Sequence, residues 1–265
     1  MRQSTAYALR TYPLGEADLI VVFFTCEYGR LKSVAKAARR VRSRFGSAFQ
    51  PLTRSALVFY EKEGQELTRV SSCEVERSYY EQLLTPEAAA TAAYFAELLQ
   101  EFTAERDPNP AIFRLIGAVM EAVSEGLPLP LAARYFEVWV LRLSGLLPRL
   151  SICGSCGRRL AAGRWVVPHP LEFVCRQCRN VRGGSRWLSP AGTALLEAIL
   201  KEKPQHLLPA AGHSRQAVYR LAAVNRLLIR GHLDKELRSL RYIDRLRHGA
   251  REVARGAPTI TRIDS

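Results

Sequence analysis

No apolar run in this chain approaches the roughly 18 residues that a membrane-crossing helix needs, so no membrane span is expected. The segment Met1-Arg2-Gln3-Ser4 has no charged-then-apolar leader pattern, and the expected compartment is the cytoplasm. Motifs that signal catalysis are missing too. There is no phosphate-cradling G-x-x-x-x-G-K-[ST] loop, no G-x-S-x-G elbow, no H-E-x-x-H helix and no H-x-E deaminase signature. Acidic residues are scattered rather than clustered as a two-metal nuclease requires. Internal repeats and low-complexity tracts are absent as well. Each absence points away from an enzyme with catalytic residues or a small-molecule substrate and toward a binding protein.

What is present is positive charge. The 265 residues carry a formal charge of +14, with 48% hydrophobic residues, enough for packed cores. Charge is segregated along the chain. Residues 81–150 hold nine acidic and five basic groups, whereas the segments on either side are net basic. Such segregation suits phosphate binding; an arginine-rich composition without functional meaning is the plain alternative.

Residues 1–80 read as a small β domain. Short β-branched and aromatic runs at 4–11, 17–25, 30–35, 52–61 and 67–73 are separated by Pro13-Leu14-Gly15, Glu27-Tyr28-Gly29 and Glu63-Gly64-Gln65. Five short strands suit a closed barrel of OB or SH3-like type. From Pro86 the pattern turns helical, over 88–102, 112–124 and 131–147, the third apolar on nearly all sides. Helical spacing returns after Ser189-Pro190, an N-cap followed by proline at the first helical position, over 191–200, 214–229 and 231–244. Residues 249–265 have weak periodicity and read as a disordered tail. The expected architecture is α+β and multidomain: a barrel over 1–80, a helical domain over 81–150 and 189–248, and a small insert over 151–188.

That insert carries four of the six cysteines, as C-x2-C-x18-C-x2-C: Cys153, Cys156, Cys175 and Cys178. Two residues between cysteines let one tight knuckle present both sulfurs to a single ion. Gly154 and Gly157 after the first knuckle, and Asn180 after the second, tolerate the positive φ such turns use. Trp165-Val166-Val167 and Phe173-Val174 read as strands of a small ribbon. Four thiolates close the coordination sphere, so one structural zinc ion is expected. His169 reads as a surface residue, and Cys26 and Cys73 as buried apolar ones.

The second notable stretch runs from residue 30 to 54: Arg30, Lys32, Lys36, Arg39, Arg40, Arg42, Arg44 and Arg54, without an acidic residue. Ser33, Ser43, Phe45, Ser47 and Phe49 are interleaved. Guanidinium groups grip phosphates and aromatic rings stack bases, so nucleic acid is the favoured partner. A solvated loop or a docking site for an acidic protein is the competing reading.

Three stretches, in order, resemble the bacterial recombination mediator family RecO: Lys36-Ala37-Ala38-Arg39-Arg40 continuing through Ser43 to Pro51; residues 136–150 running into Cys153-Gly154-Ser155-Cys156-Gly157; and Gly231-His232-Leu233-Asp234-Lys235-Glu236-Leu237-Arg238-Ser239. The resemblance covers about residues 1–245. It implies an OB-fold for residues 1–80, and binding of single- and double-stranded DNA through Arg30, Lys32, Lys36, Arg39, Arg40, Arg42 and Arg44. Further implications are strand annealing, loading of RecA onto strands coated by SSB, RecR and the acidic SSB tail as partners, and a place at the bacterial nucleoid. One position departs: Ala37 stands where the family usually has glycine. Two other classes stay open on the residues alone: a zinc-ribbon enzyme acting on nucleic acid with a divalent metal, and an RNA-binding protein of the transcription or translation machinery.

Overall fold

The computed structural model describes residues 1–62, 64–168, 170–179, 184–207 and 214–246. The first five strands are β1 (Arg2–Leu14), β2 (Asp18–Thr25), β3 (Gly29–Ala35), β4 (Arg54–Tyr60) and β5 (Thr68–Arg77). They close a barrel in the order β1-β2-β3-β5-β4, with β3 and β5 parallel and the other pairs antiparallel. This is the OB-like arrangement. It requires β1 to serve two partners: residues 2–7 pair with β4 and residues 6–14 with β2, across an irregularity between Ala8 and Arg10.

Alternation sorts the side chains of β1 and β2 between two cores. Ala6, Ala8, Val21 and Phe23 fill the barrel with Leu31, Leu57, Phe59 and Val70. Tyr7, Leu9, Val22 and Phe24 point the other way and belong to the larger core under the helices. Tyr7 and Phe24 meet Phe113 with ring centroids 4.9 and 5.7 Å apart. Barrel and helices therefore share buried apolar surface, at about 25 cal/mol per Å².

Helices α1 (Pro86–Phe102), α2 (Pro110–Ser124) and α3 (Leu129–Leu143) follow. Thr85 and Asn109 cap α1 and α2 by accepting from Ala88 and Ile112 N–H, each with proline just inside the helix. The α1–α2 connection lies on the barrel: Arg30 N–H donates to Ala104 O and Arg106 N–H to Arg30 O. Gly29 makes this approach possible. It has φ +64°, and a Cβ there would fall 2.3 Å from the Asp107 carbonyl oxygen.

The insert forms a three-stranded sheet of β6 (Arg164–Pro168), β7 (Leu171–Val174) and β8 (Arg186–Leu188), in the order β7-β6-β8. Helix α4 (Pro190–Lys201) starts at the Ser189 cap expected from sequence, whose hydroxyl accepts from Gly192 N–H. Helix α5 (Arg215–Leu233) runs straight through Gly231 and stops at Asp234, in the left-handed region at φ +50°. The helix expected over 231–244 thus begins later, at residue 238, and continues through 246. Its N-terminus is held from a distance, since the Glu97 carboxylate on α1 accepts from Arg238 and Ser239 N–H at 2.9 and 2.8 Å. The tail over 249–265 lies outside the described residues.

The third helix, expected to be apolar on nearly all sides, is largely buried but carries charge inside. It ends at Leu143, and two of its buried residues are charged: Arg134, 5% exposed, and Glu137, fully buried. Glu137 Oε1 accepts from Tyr94 Oη at 2.8 Å and from Arg134 Nη2, and Oε2 from Arg134 Nε at 2.7 Å and Asn225 Nδ2 at 2.9 Å. Four donors satisfy the carboxylate, and they come from α1, α3 and α5.

The basic segment is not a free loop. Residues 36–53 form a chain of turns across the barrel end, with Phe45 and Ala48 buried in the barrel core and Leu52 in the larger one. Ala37 and Leu52 bracket it in the left-handed region, at φ 56° and 62°. Ala37 N–H donates to Asp18 Oδ1 at 2.8 Å and Leu52 N–H to Ala8 O at 2.7 Å, which holds both residues there.

Two outcomes are expected. Glu137→Gln leaves the buried guanidinium without its counter-charge and costs about 3–5 kcal/mol in urea unfolding. A loss below about 1 kcal/mol would show that the pair is dispensable. Ala37→Gly removes left-handed strain and raises the Tm by about 1–3 °C in calorimetry; a lowered Tm would contradict the assigned backbone conformation.

Candidate metal centre and nucleic-acid face

The four cysteines converge. Cys153 and Cys156 sit on the turn before β6, and Cys175 and Cys178 on the turn after β7, with all four Sγ atoms within 4.8 Å of one another. A tetrahedral zinc site with Zn–S bonds of about 2.3 Å has sulfur–sulfur edges of about 3.8 Å. Cys156 Sγ and Cys175 Sγ are 3.9 Å apart. The donor set and spacing fit a zinc ion and leave no side for a reacting water.

Backbone hydrogen bonds build the two turns. Cys153 N–H donates to Arg158 O and Gly157 N–H to Cys153 O, at 2.7 and 2.9 Å. Gly154 N–H donates to Phe173 O at 2.9 Å, and Cys175 N–H to Cys153 Sγ at 3.4 Å, so the turns brace each other. Only Gly157 has the positive φ expected of both glycines, at +70°. Gly154 is needed for room instead: a Cβ there would lie 2.4 Å from the Glu172 carboxyl. Asn180 and His169 lie outside the described residues. Hydrogen bonding from Arg158, first through its backbone N–H, pulls the Cys156 thiol down to about 6, favouring the thiolate. Cys73 is buried in the barrel and pushed up to about 11, whereas Cys26 is only half-buried.

The seven basic residues of the sequence reading fall into two groups. Arg30 and Lys32, on the outward face of β3, meet Glu105 from the α1–α2 connection at 3.5 and 2.7 Å. Lys32 in turn holds the Glu105 carboxyl below its ordinary range. Lys36, Arg39, Arg40, Arg42 and Arg44 are exposed on the turns across the barrel end. Lys36 lies 3.6 Å from Asp18, and Arg39 Nη1 donates to Gly15 O at 3.0 Å. Arg40, Arg42 and Arg44 have no ion pair among the described residues.

The two phenylalanines expected to stack bases are used inside. Phe45 is buried, packs on Phe49 at 4.8 Å and lies under the Arg44 guanidinium at 4.9 Å. Phe49 in turn packs on Phe23. These rings anchor the turns that carry the arginines. Missed by the sequence reading are Tyr60, Lys62 and Arg69, which line a cavity of about 520 Å³ beside Arg44. They come from the β4–β5 hairpin, outside the basic run, so their link to it is visible only in three dimensions.

Comparison with known proteins agrees over both parts of the chain. Residues 1–79 match the family described as Recombination protein O N terminal, and residues 83–241 match Recombination protein O C terminal. A protein of Koribacter versatilis named DNA repair protein RecO is 36% identical over 250 residues, covering 93% of this chain and 99% of its own length. One of the same name from Anaeromyxobacter sp. (strain K) is 30% identical over 252 residues, covering 91% and 95%. With matches spanning the barrel, the helices and the four-cysteine insert alike, the chain belongs to the RecO family of DNA repair proteins.

Proposed function

We propose that this protein is a non-enzymatic recombination mediator: it binds single- and double-stranded DNA, anneals complementary strands and, with RecR, assists RecA loading on SSB-coated strands. The observation that carries this reading is the set of five exposed cations on ordered turns across the barrel end: Lys36, Arg39, Arg40, Arg42 and Arg44. Two strands brought together repel through their phosphates, and a cationic surface that neutralises both lowers that barrier with no bond made or broken. Arg30 and Lys32 extend the same face, with Glu105 exchanged for phosphate on binding. Because Phe45 and Phe49 pin the turns, little order has to be gained when DNA arrives.

Cys153, Cys156, Cys175 and Cys178 hold one structural zinc ion in this reading. The small sheet around them buries little of its own, so metal binding supplies its folding energy. The acidic SSB tail calls for a basic, partly apolar pocket. One of about 340 Å³ lies beside α5, walled by Leu227, Leu237 and Leu240 and rimmed by Arg186 and Arg230.

Strand annealing followed by fluorescence quenching, at two salt concentrations and without nucleotide, tests the function. Wild type accelerates annealing and loses the effect at high salt. Lys36→Ala/Arg39→Ala/Arg40→Ala lowers the slope of log affinity against log salt on single strands by about 2. Cleavage or modification of strands on adding a divalent metal would replace this reading with an enzymatic one, and a preference for RNA would point to the transcription or translation machinery. For the insert, the expected metal content is one zinc per chain. Chelation opens residues 151–188 to protease while leaving DNA binding by the barrel intact; an insert that stays resistant without metal contradicts the structural role.

A further inference from the structure

The outward face of the barrel sheet is divided. Where Tyr7, Val22 and Phe24 lie, the helices cover it. Beyond that edge the strand registers place one row of residues side by side on the uncovered part: Tyr12 opposite Ile20, Ile20 opposite Val34, Val34 opposite Arg69, and Arg69 opposite Tyr60. Directly opposed residues share a face. Their neighbours along each strand confirm which face it is, since Leu31, Ala35, Phe59 and Val70 all point into the barrel. The row crosses all five strands, about 19 Å at the usual inter-strand spacing.

Its chemistry is ordered. The end residues are tyrosines, 40% and 47% exposed; Ile20 and Val34 form a half-buried apolar strip; and Arg69 is an exposed cation. The Arg10 guanidinium lies 5.0 Å from the Tyr12 ring centroid and stiffens it, while Tyr60 has no ring neighbour among the described residues. Two open cavities flank Arg69, one of about 520 Å³ with Arg44 and Lys62, the other of about 600 Å³ with Val34 and Lys36. Asp18, in the second, already accepts from Ala37 N–H and pairs with Lys36. Exposed aromatic rings flanking an arginine on an apolar strip fit unpaired bases, whose faces stack on rings while phosphates pass the cation. A duplex hides those faces.

We propose that Tyr12 and Tyr60 bracket a base-stacking track, with Arg69 as its central phosphate contact, and that this track confers preference for single strands over duplex. The cations of residues 36–44 hold phosphates of either form. The proposal rests on the DNA-binding reading above.

The test compares three labelled probes by fluorescence anisotropy: oligo-dT, an abasic strand with the same number of phosphates, and a duplex. Tyr12→Leu and Tyr60→Leu are each expected to weaken oligo-dT binding on the order of tenfold. Both leave the abasic strand, the duplex and the salt slope unchanged. Tyr60→Phe, which keeps the ring, retains wild-type affinity. Arg69→Ala lowers the single-strand salt slope by about 0.7. Equal losses on all three probes, or none on oligo-dT, overturn the track while leaving the mediator reading standing. Wild-type protein that binds no probe overturns both.

Discussion

The Glu137 carboxylate is the point on which the rest of the structure is hung. A buried charge is costly unless every lone pair is used, and here four donors use them. Those donors lie on three helices, and Asn225 comes from beyond the four-cysteine insert, 88 residues along the chain. The pair of helical segments on either side of the insert is thereby locked in one register. Apolar packing alone tolerates sliding between helices; a saturated carboxylate does not. The tyrosine that joins it, Tyr94, is fully buried and its hydroxyl held well above its ordinary range by burial, so it keeps the proton that it donates to Glu137.

The acidic middle of the chain has a related purpose. Its carboxylates reach outward to basic or donor groups elsewhere: Glu97 to residues 238–239, Glu101 to Lys235, Glu105 to Arg30 and Lys32, Glu121 to Arg77 and Tyr79. Burial pushes the Glu121 carboxyl up, but hydrogen bonds from Arg77 and Tyr79 outweigh it and hold the group below its ordinary range. Exposed pairs of this kind contribute little stability individually. Their larger effect is on where positive charge is left over. Once the acids of α1 and α2 have taken their partners, the turns across the barrel end retain theirs.

Much of this was legible in the sequence. The cysteine spacing located the metal-binding geometry, the Ser189-Pro190 pair located the start of α4, and five β-rich runs located the barrel strands. Segregated charge points to phosphate binding or to composition alone, and neither reading reaches the internal ion pairs, because pairing between distant segments leaves no periodic trace. Phe45 and Phe49 were read as stacking rings because a loop sequence does not say which side faces a core. Arg134 and Glu137 were hidden in a helix that is apolar on average. The row from Tyr12 to Tyr60 draws on five separate strands, and only strand register brings it together.

The Glu97 cap on the helix that begins at residue 238 bears on synthesis. Its acceptor and the N–H groups it serves are separated by 141 and 142 residues. At ribosomal rates of about 5–20 residues per second, α1 leaves the exit tunnel roughly 7 to 28 s before the helix it caps. Through that interval Glu97 faces water, and the apolar strip that later receives Leu237 and Leu240 is uncovered. The five barrel strands, all within the first 77 residues, have their pairing partners among themselves, but Tyr7, Leu9, Val22 and Phe24 wait for the helices that bury them. For those seconds a nascent chain carries the apolar face of its barrel strands and an unfinished bundle together, so apolar surface stays exposed until the C-terminal segments arrive.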